Sequence, residues 1–296
     1  TSLVFSLPSL ALADAPRVVT DIAPIHSLVA QVMGDLGSPD LLVAANASPH
    51  SFSLRPSQAG DLEHAQAVFW VGEALTPWLE PLLGKLAPKA EHIELLHLPV
   101  TQTLAFREGV TFEHDAHDHE DAHGHGDVEA DPHAWLNPDN AMAWLDVIAA
   151  ELAELDPESA ATYAANAKAA KDGLGETIAQ IEATLVPVKD KTFIVFHDAY
   201  HYFEARFDVE ASAAISLSDA AAPGPARVEQ IQTLVREKNV TCAFSEPLFS
   251  QGLIATVLDG TDARAAVLDP LGSTMEPGPD LYNALLRTMA DAIAGC

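Results

Sequence analysis

The chain has 296 residues, enough for two domains of ordinary size, and its 48% hydrophobic and 6% aromatic content suits a packed globular protein. Against 43 Asp and Glu stand only 15 Lys and Arg, a formal charge of −28. Such a surface repels nucleic-acid phosphates and anionic lipid headgroups and concentrates cations, so nucleic acid is excluded as a partner.

The chain opens with LVFSLPSLALADA, an apolar run ending in small residues. It has the h-region and cleavage-site character of a secretory signal without the basic start, so residues 1–13 are taken as a signal remnant and the mature protein as exported. A first buried strand is the other reading. Nowhere does an apolar stretch reach membrane-spanning length.

From residue 14 to 155 short apolar runs (RVVTDI, LLVAAN, AVFWV) alternate with helical stretches such as TPWLEPLLGKL. That alternation predicts an α/β lobe with a parallel sheet and crossover helices. HDAHDHEDAHGHGD, from His114 to Asp127, interrupts it with five histidines and five carboxylates. The segment lacks the apolar surface needed to offset its ordering entropy, which predicts a disordered loop over 111–129. His114, His117, His119, His123 and His125 there make accessory, weak metal sites, because histidine-rich tracts bind metal readily.

Two long helical stretches follow. Asn137 and Pro138 suit the start of the first, and Asp156 and Pro157 the start of the second, predicted over 156–185 as a stiff link. Residues 186–296 resume the alternation with TFIVF, VTCAF and ARAAVL and close on an amphipathic helix. The predicted architecture is therefore two Rossmann-like α/β lobes joined by one rigid helix, with a cleft between them. Ligands of open α/β sheets gather at the carboxyl ends of strands. His50, in ASPHSFSLRPSQ, follows one strand signal; His133, in DPHAWLNPD, precedes a helix cap; His197 and Asp269 end two others. Three imidazoles and one carboxylate form a tetrahedral set suited to Zn²⁺. A site for harder ions would hold more carboxylates, and a copper site would be expected to carry sulfur.

Among the remaining candidates, His201 lies four residues after His197, yet the intervening DAY lacks the glutamate of a hydrolase motif, so it reads as a surface or supporting residue. His26, His64, His92 and His97 have no ligand-spaced companions. Glu246 in FSEPLF also follows a strand, where it can line the cleft and orient a histidine. Cys242 and Cys296 are the two cysteines. In an oxidising compartment they would bond, a closure worth roughly 4 kcal/mol; otherwise they are two unrelated thiols.

The segments ASPHSFSLRPSQ, DPHAWLNPDNA, FHDAYHYFE and VLDPLG resemble the signature segments of the metal-binding receptors of bacterial ABC importers, most closely the periplasmic zinc receptors of high-affinity uptake systems. VTDIAPIHSLVAQVMG and VFWVGEALTPWLEPLL extend the likeness over nearly the whole mature chain. The resemblance implies a monomeric, non-catalytic periplasmic receptor that carries one tightly held Zn²⁺ to an inner-membrane ABC permease. It implies His50, His133 and His197 as ligands, with Asp269 or water fourth. It also implies a Cys242–Cys296 disulfide and an acidic, histidine-rich insertion where the 114–127 stretch falls. Manganese-binding members carry a carboxylate in place of His197, where imidazole is the more zinc-like donor. A manganese or iron receptor of the same fold is the nearest alternative; an exported zinc hydrolase is the rival from another class.

Overall fold

In the computed structural model the described residues are 15–45, 47–107, 112, 130–216, 223–249 and 251–296. The signal remnant and the loop histidines His114, His117, His119, His123 and His125 fall outside them, as does all of 111–129 except Phe112.

The first sheet holds β1 (Val18–Thr20), β2 (Asp40–Leu41), β3 (Ala67–Trp70) and β4 (Glu91–Glu94), in the order β2-β1-β3-β4 with every pair parallel. Crossovers run through α1 (Ala23–Met33), α2 (Pro56–His64) and α3 (Glu80–Leu86). The second sheet repeats the plan: β5 (Phe193–His197), β6 (Ala211–Ser216), β7 (Cys242–Ser245) and β8 (Arg264–Val267), all parallel in the order β6-β5-β7-β8. It is served by α6 (His201–Phe207), α7 (Pro225–Glu237) and α8 (Gln251–Leu258). Interior strands covered on both faces read as continuous apolar runs, and AVFW and FIVFH are buried throughout. The edge strand β8 keeps exposed positions.

Between the two sheets in chain order come α4 (Pro138–Leu155) and α5 (Ala160–Leu185). Asn137 caps α4 as its sequence predicts, its side chain accepting from Asp139 N at 2.9 Å. The second start differs in detail. Asp156 leads into a 3₁₀ turn, Pro157–Ser159, before α5 begins, and Asp156 Oδ2 accepts from the Tyr163 hydroxyl at 3.1 Å. With 26 residues α5 is a rod of about 39 Å. It packs against α1, α4 and α9 (Leu281–Ala294). One core runs unbroken from Val18 and Phe69 through Trp135, Trp144, Tyr163 and Leu174 to Phe193, Phe244 and Met289. Both lobes share it, so their relation is fixed by close packing rather than by a flexible tether.

Cys242 and Cys296 are disulfide-bonded, with Cα atoms 5.8 Å apart, joining the start of β7 to the second residue beyond α9. Among the described residues no helix is long and apolar enough to cross a membrane.

Candidate metal site

His197 is the last residue of β5, and Glu246 directly follows its sheet neighbour β7. Parallel neighbours finish at the same edge, so the two side chains meet: His197 Nδ1 lies 2.6 Å from Glu246 Oε1. The other half of the site comes from the turn ahead of α4. There Asp131 Oδ1 accepts from His133 N at 3.0 Å and lies 2.7 Å from His133 Nδ1. An aspartate that holds both the backbone and the ring of the residue two places on fixes that ring firmly. All four groups are buried, with exposures of 1% for Asp131, 5% for His133, 6% for His197 and 4% for Glu246.

A neutral imidazole that turns its Nδ1–H to a carboxylate keeps the lone pair of its Nε2 for a metal. The two Nε2 atoms face each other across the lobes at 3.4 Å. The separation is close to that of two nitrogens on one tetrahedral ion, for which Zn–N bonds of about 2.05 Å at the tetrahedral angle put the nitrogens about 3.3 Å and the ring centroids about 5.2 Å apart. The centroids of His133 and His197 are 5.3 Å apart.

His50 approaches from the loop after β2, half-buried, its ring centroid 5.9 Å from that of His133. The loop is held by Trp78, whose Nε1–H donates to Pro49 O at 2.7 Å and whose ring packs on Phe52 at 5.4 Å. Among the described residues no three His, Cys, Asp or Glu side chains form a group that could hold a metal ion. His50 is the outlying imidazole. Asp269 follows β8 by two residues, and its carboxylate caps its own turn: Oδ1 accepts from Leu271 N at 3.1 Å, and Oδ2 from Ser273 Oγ at 2.9 Å and Thr274 N at 3.4 Å. The turn abuts the His133 segment, because Trp135 Nε1–H donates to Pro270 O at 2.8 Å. Burial first, and then the carboxylates of Glu246 and Asp269, push the Tyr200 phenol well above its ordinary range, so it stays neutral and donates to Leu268 O at 2.9 Å.

Aromatic rings wall the site. Trp135 lies 5.2 Å from the His133 ring, and Phe249, stacked on Phe196 at 4.2 Å, meets His197 edge-on at 5.9 Å. His201 stays outside, its Nδ1 4.0 Å from Asp131 Oδ2. His26, His64 and His92 bond backbone carbonyls of Pro39, Gly60 and Ala87, and His97 meets Glu94, so all four are structural or exposed. Glu246 takes the orienting position that its strand-end placement suggests. Asp131 went unrecognised in the sequence, although a carboxylate two residues ahead of a ligand-like histidine was its signal.

Comparison with known proteins places the chain. The family model for the periplasmic zinc-uptake complex component A matches residues 18–296. The high-affinity zinc uptake system protein ZnuA of Paracoccus denitrificans is 43% identical over 304 residues, covering 96% of this chain and 92% of that one. A crystal structure of ZnuA superposes with a TM-score of 0.79 at 26% identity, covering 96% of this chain and 99% of the other. That of a ZnuA deletion mutant with zinc bound gives 0.77 at 26% identity, covering 95% and 97%.

Proposed function

This chain belongs to the periplasmic zinc-uptake component A family, and from that premise we propose that it is the extracytoplasmic receptor that captures Zn²⁺ and passes it to an ABC-type permease in the inner membrane. His133 and His197 grip the ion from opposite lobes, His50 closes on it from its loop, and Asp269 supplies the fourth donor. The observation that carries the reading is the 3.4 Å separation of the two Nε2 atoms, each ring held by its own buried carboxylate. Nitrogen-rich donors of this kind favour Zn²⁺ over Mn²⁺. With four protein donors no position is left to activate water, which suits an ion that is carried rather than used. One chain carries one tightly held ion. The histidines of the 114–127 stretch add weaker sites that raise the local supply of zinc.

The test is a chelator-competition titration of the full chain, of His197→Ala, and of a chain lacking residues 113–129. One tight zinc persists without the histidine-rich stretch and is lost in His197→Ala. Tight binding that vanishes with the stretch, or survives His197→Ala unchanged, contradicts the proposal.

A further inference from the structure

The guanidinium of Arg107, only 12% exposed, lies between two buried carboxylates of the second lobe. Its Nε donates to Asp198 Oδ1 and Oδ2 at 3.1 and 3.0 Å, its Nη2 reaches Asp198 Oδ1 as well, and its Nη1 donates to Glu204 Oε2 at 2.6 Å. Asp198 is the residue after His197. Glu204 also accepts from Ala211 N, at the head of β6, at 3.2 Å.

The segment that delivers Arg107 starts in the first lobe. Trp144 Nε1–H donates to Thr101 Oγ1 at 2.8 Å, Gln102 N donates to Asn140 Oδ1 at 2.8 Å, and Asn140 Nδ2 returns a bond to Gln102 O at 3.0 Å, which fastens the segment to α4. It then crosses. Leu104 N donates to the Tyr202 hydroxyl at 2.9 Å, Leu104 O accepts from Asp131 N at 2.8 Å, and Ala105 bridges Ala130. Beyond Arg107, Phe112 N donates to Ser212 O at 3.0 Å, and the guanidinium lies 3.7 Å from the Phe112 ring centroid, a cation–π contact. One strap is therefore bonded on one side to Asp131, which orients His133. On the other side it holds, through Arg107, the residue that adjoins His197.

We propose that Arg107 is a positioning residue for zinc capture: it ties the two carboxylate-held imidazoles to a single strap and so sets the gap between their Nε2 atoms. The inference rests on the zinc reading above. A planar fork can meet Asp198 and Glu204 together, whereas a lysine supplies a point charge without the two-sided geometry. Supports of this kind commonly change metal affinity by roughly 10- to 100-fold.

The experiment measures Zn²⁺ affinity by chelator competition and the visible d–d spectrum of the Co²⁺-loaded full chain. Arg107→Met lowers zinc affinity by roughly 10- to 100-fold and weakens the tetrahedral cobalt bands, and Arg107→Lys recovers part of both. The variant Arg107→Met/Asp198→Asn/Glu204→Gln removes the burden of unpaired buried charge and still binds weakly. The proposal is overturned if Arg107→Met, or that neutral variant where Arg107→Met alone does not fold, keeps parental affinity and the parental cobalt spectrum. A parent chain that itself holds no tight zinc would instead defeat the zinc reading, a separate result visible in the same titration.

Discussion

Replacing Asp131 by Asn and Glu246 by Gln probes the site without touching a ligand. Each carboxylate accepts a ring Nδ1–H at 2.7 and 2.6 Å, with both partners buried, the short spacing of a charge-assisted bond. An amide keeps the shape but removes the charge and can present its NH₂ to the ring, which favours the tautomer whose proton sits on Nε2 and blocks the metal. Each single change should cost roughly 10- to 100-fold in zinc affinity, about 1.4–2.7 kcal/mol. The two carboxylates act on different rings in different lobes, so the double variant should approach the product of the two factors, short of it to the extent that both rings share one ion. Chelator competition gives the affinities, and thermal melts of the zinc-free proteins check that the fold persists. If both single variants bind zinc as tightly as the parent, the orientation of these imidazoles is not what makes the site.

Trp78→Phe removes the bond to Pro49 O that anchors the His50 loop, so zinc affinity should fall about fivefold while the melting temperature barely moves; unchanged affinity would show that the loop needs no anchor. Asp21 is fully buried at the end of β1, accepting from Ile22 N and Val71 N, and burial drives its carboxyl from 3.8 up to about 7. A carboxyl raised in the fold stabilises it fully at low pH, and that contribution drains away as pH rises towards 7. Parent and Asp21→Asn should thus differ in how urea stability changes from pH 5 to 8, the parent losing about 2.5 kcal/mol more; parallel pH profiles would contradict this. Reducing Cys242–Cys296 frees a loop with ends 54 residues apart, worth about 4 kcal/mol, and should lower the melting temperature by about 6 °C. Zinc affinity should hold, because the bridge sits at the opposite end of β7 from Glu246; a large loss of affinity would refute that separation.

The parallel sheets were legible because buried strands leave unbroken apolar runs, as in AVFW and FIVFH. The carboxyl-end rule then singled out His197, Glu246 and Asp269 without any knowledge of contacts. Two features lay beyond it. Asp131 acts through a turn two residues long, and only the folded backbone shows that its oxygen meets both N and Nδ1 of His133. Arg107 pairs with residues more than 90 positions away, a choice of partner that no local pattern records. Asp269 shows the converse: its place at a strand end was readable, but its engagement by Leu271, Ser273 and Thr274 depends on the turn that follows.

The most direct test is zinc K-edge X-ray absorption on the chain lacking residues 113–129, loaded with one equivalent of Zn²⁺. A four-coordinate ion with three imidazole nitrogens and one oxygen, at about 2.0–2.1 Å, is the predicted result. A six-coordinate shell, a sulfur donor, or fewer than two imidazoles would contradict the site assembled from His50, His133, His197 and Asp269.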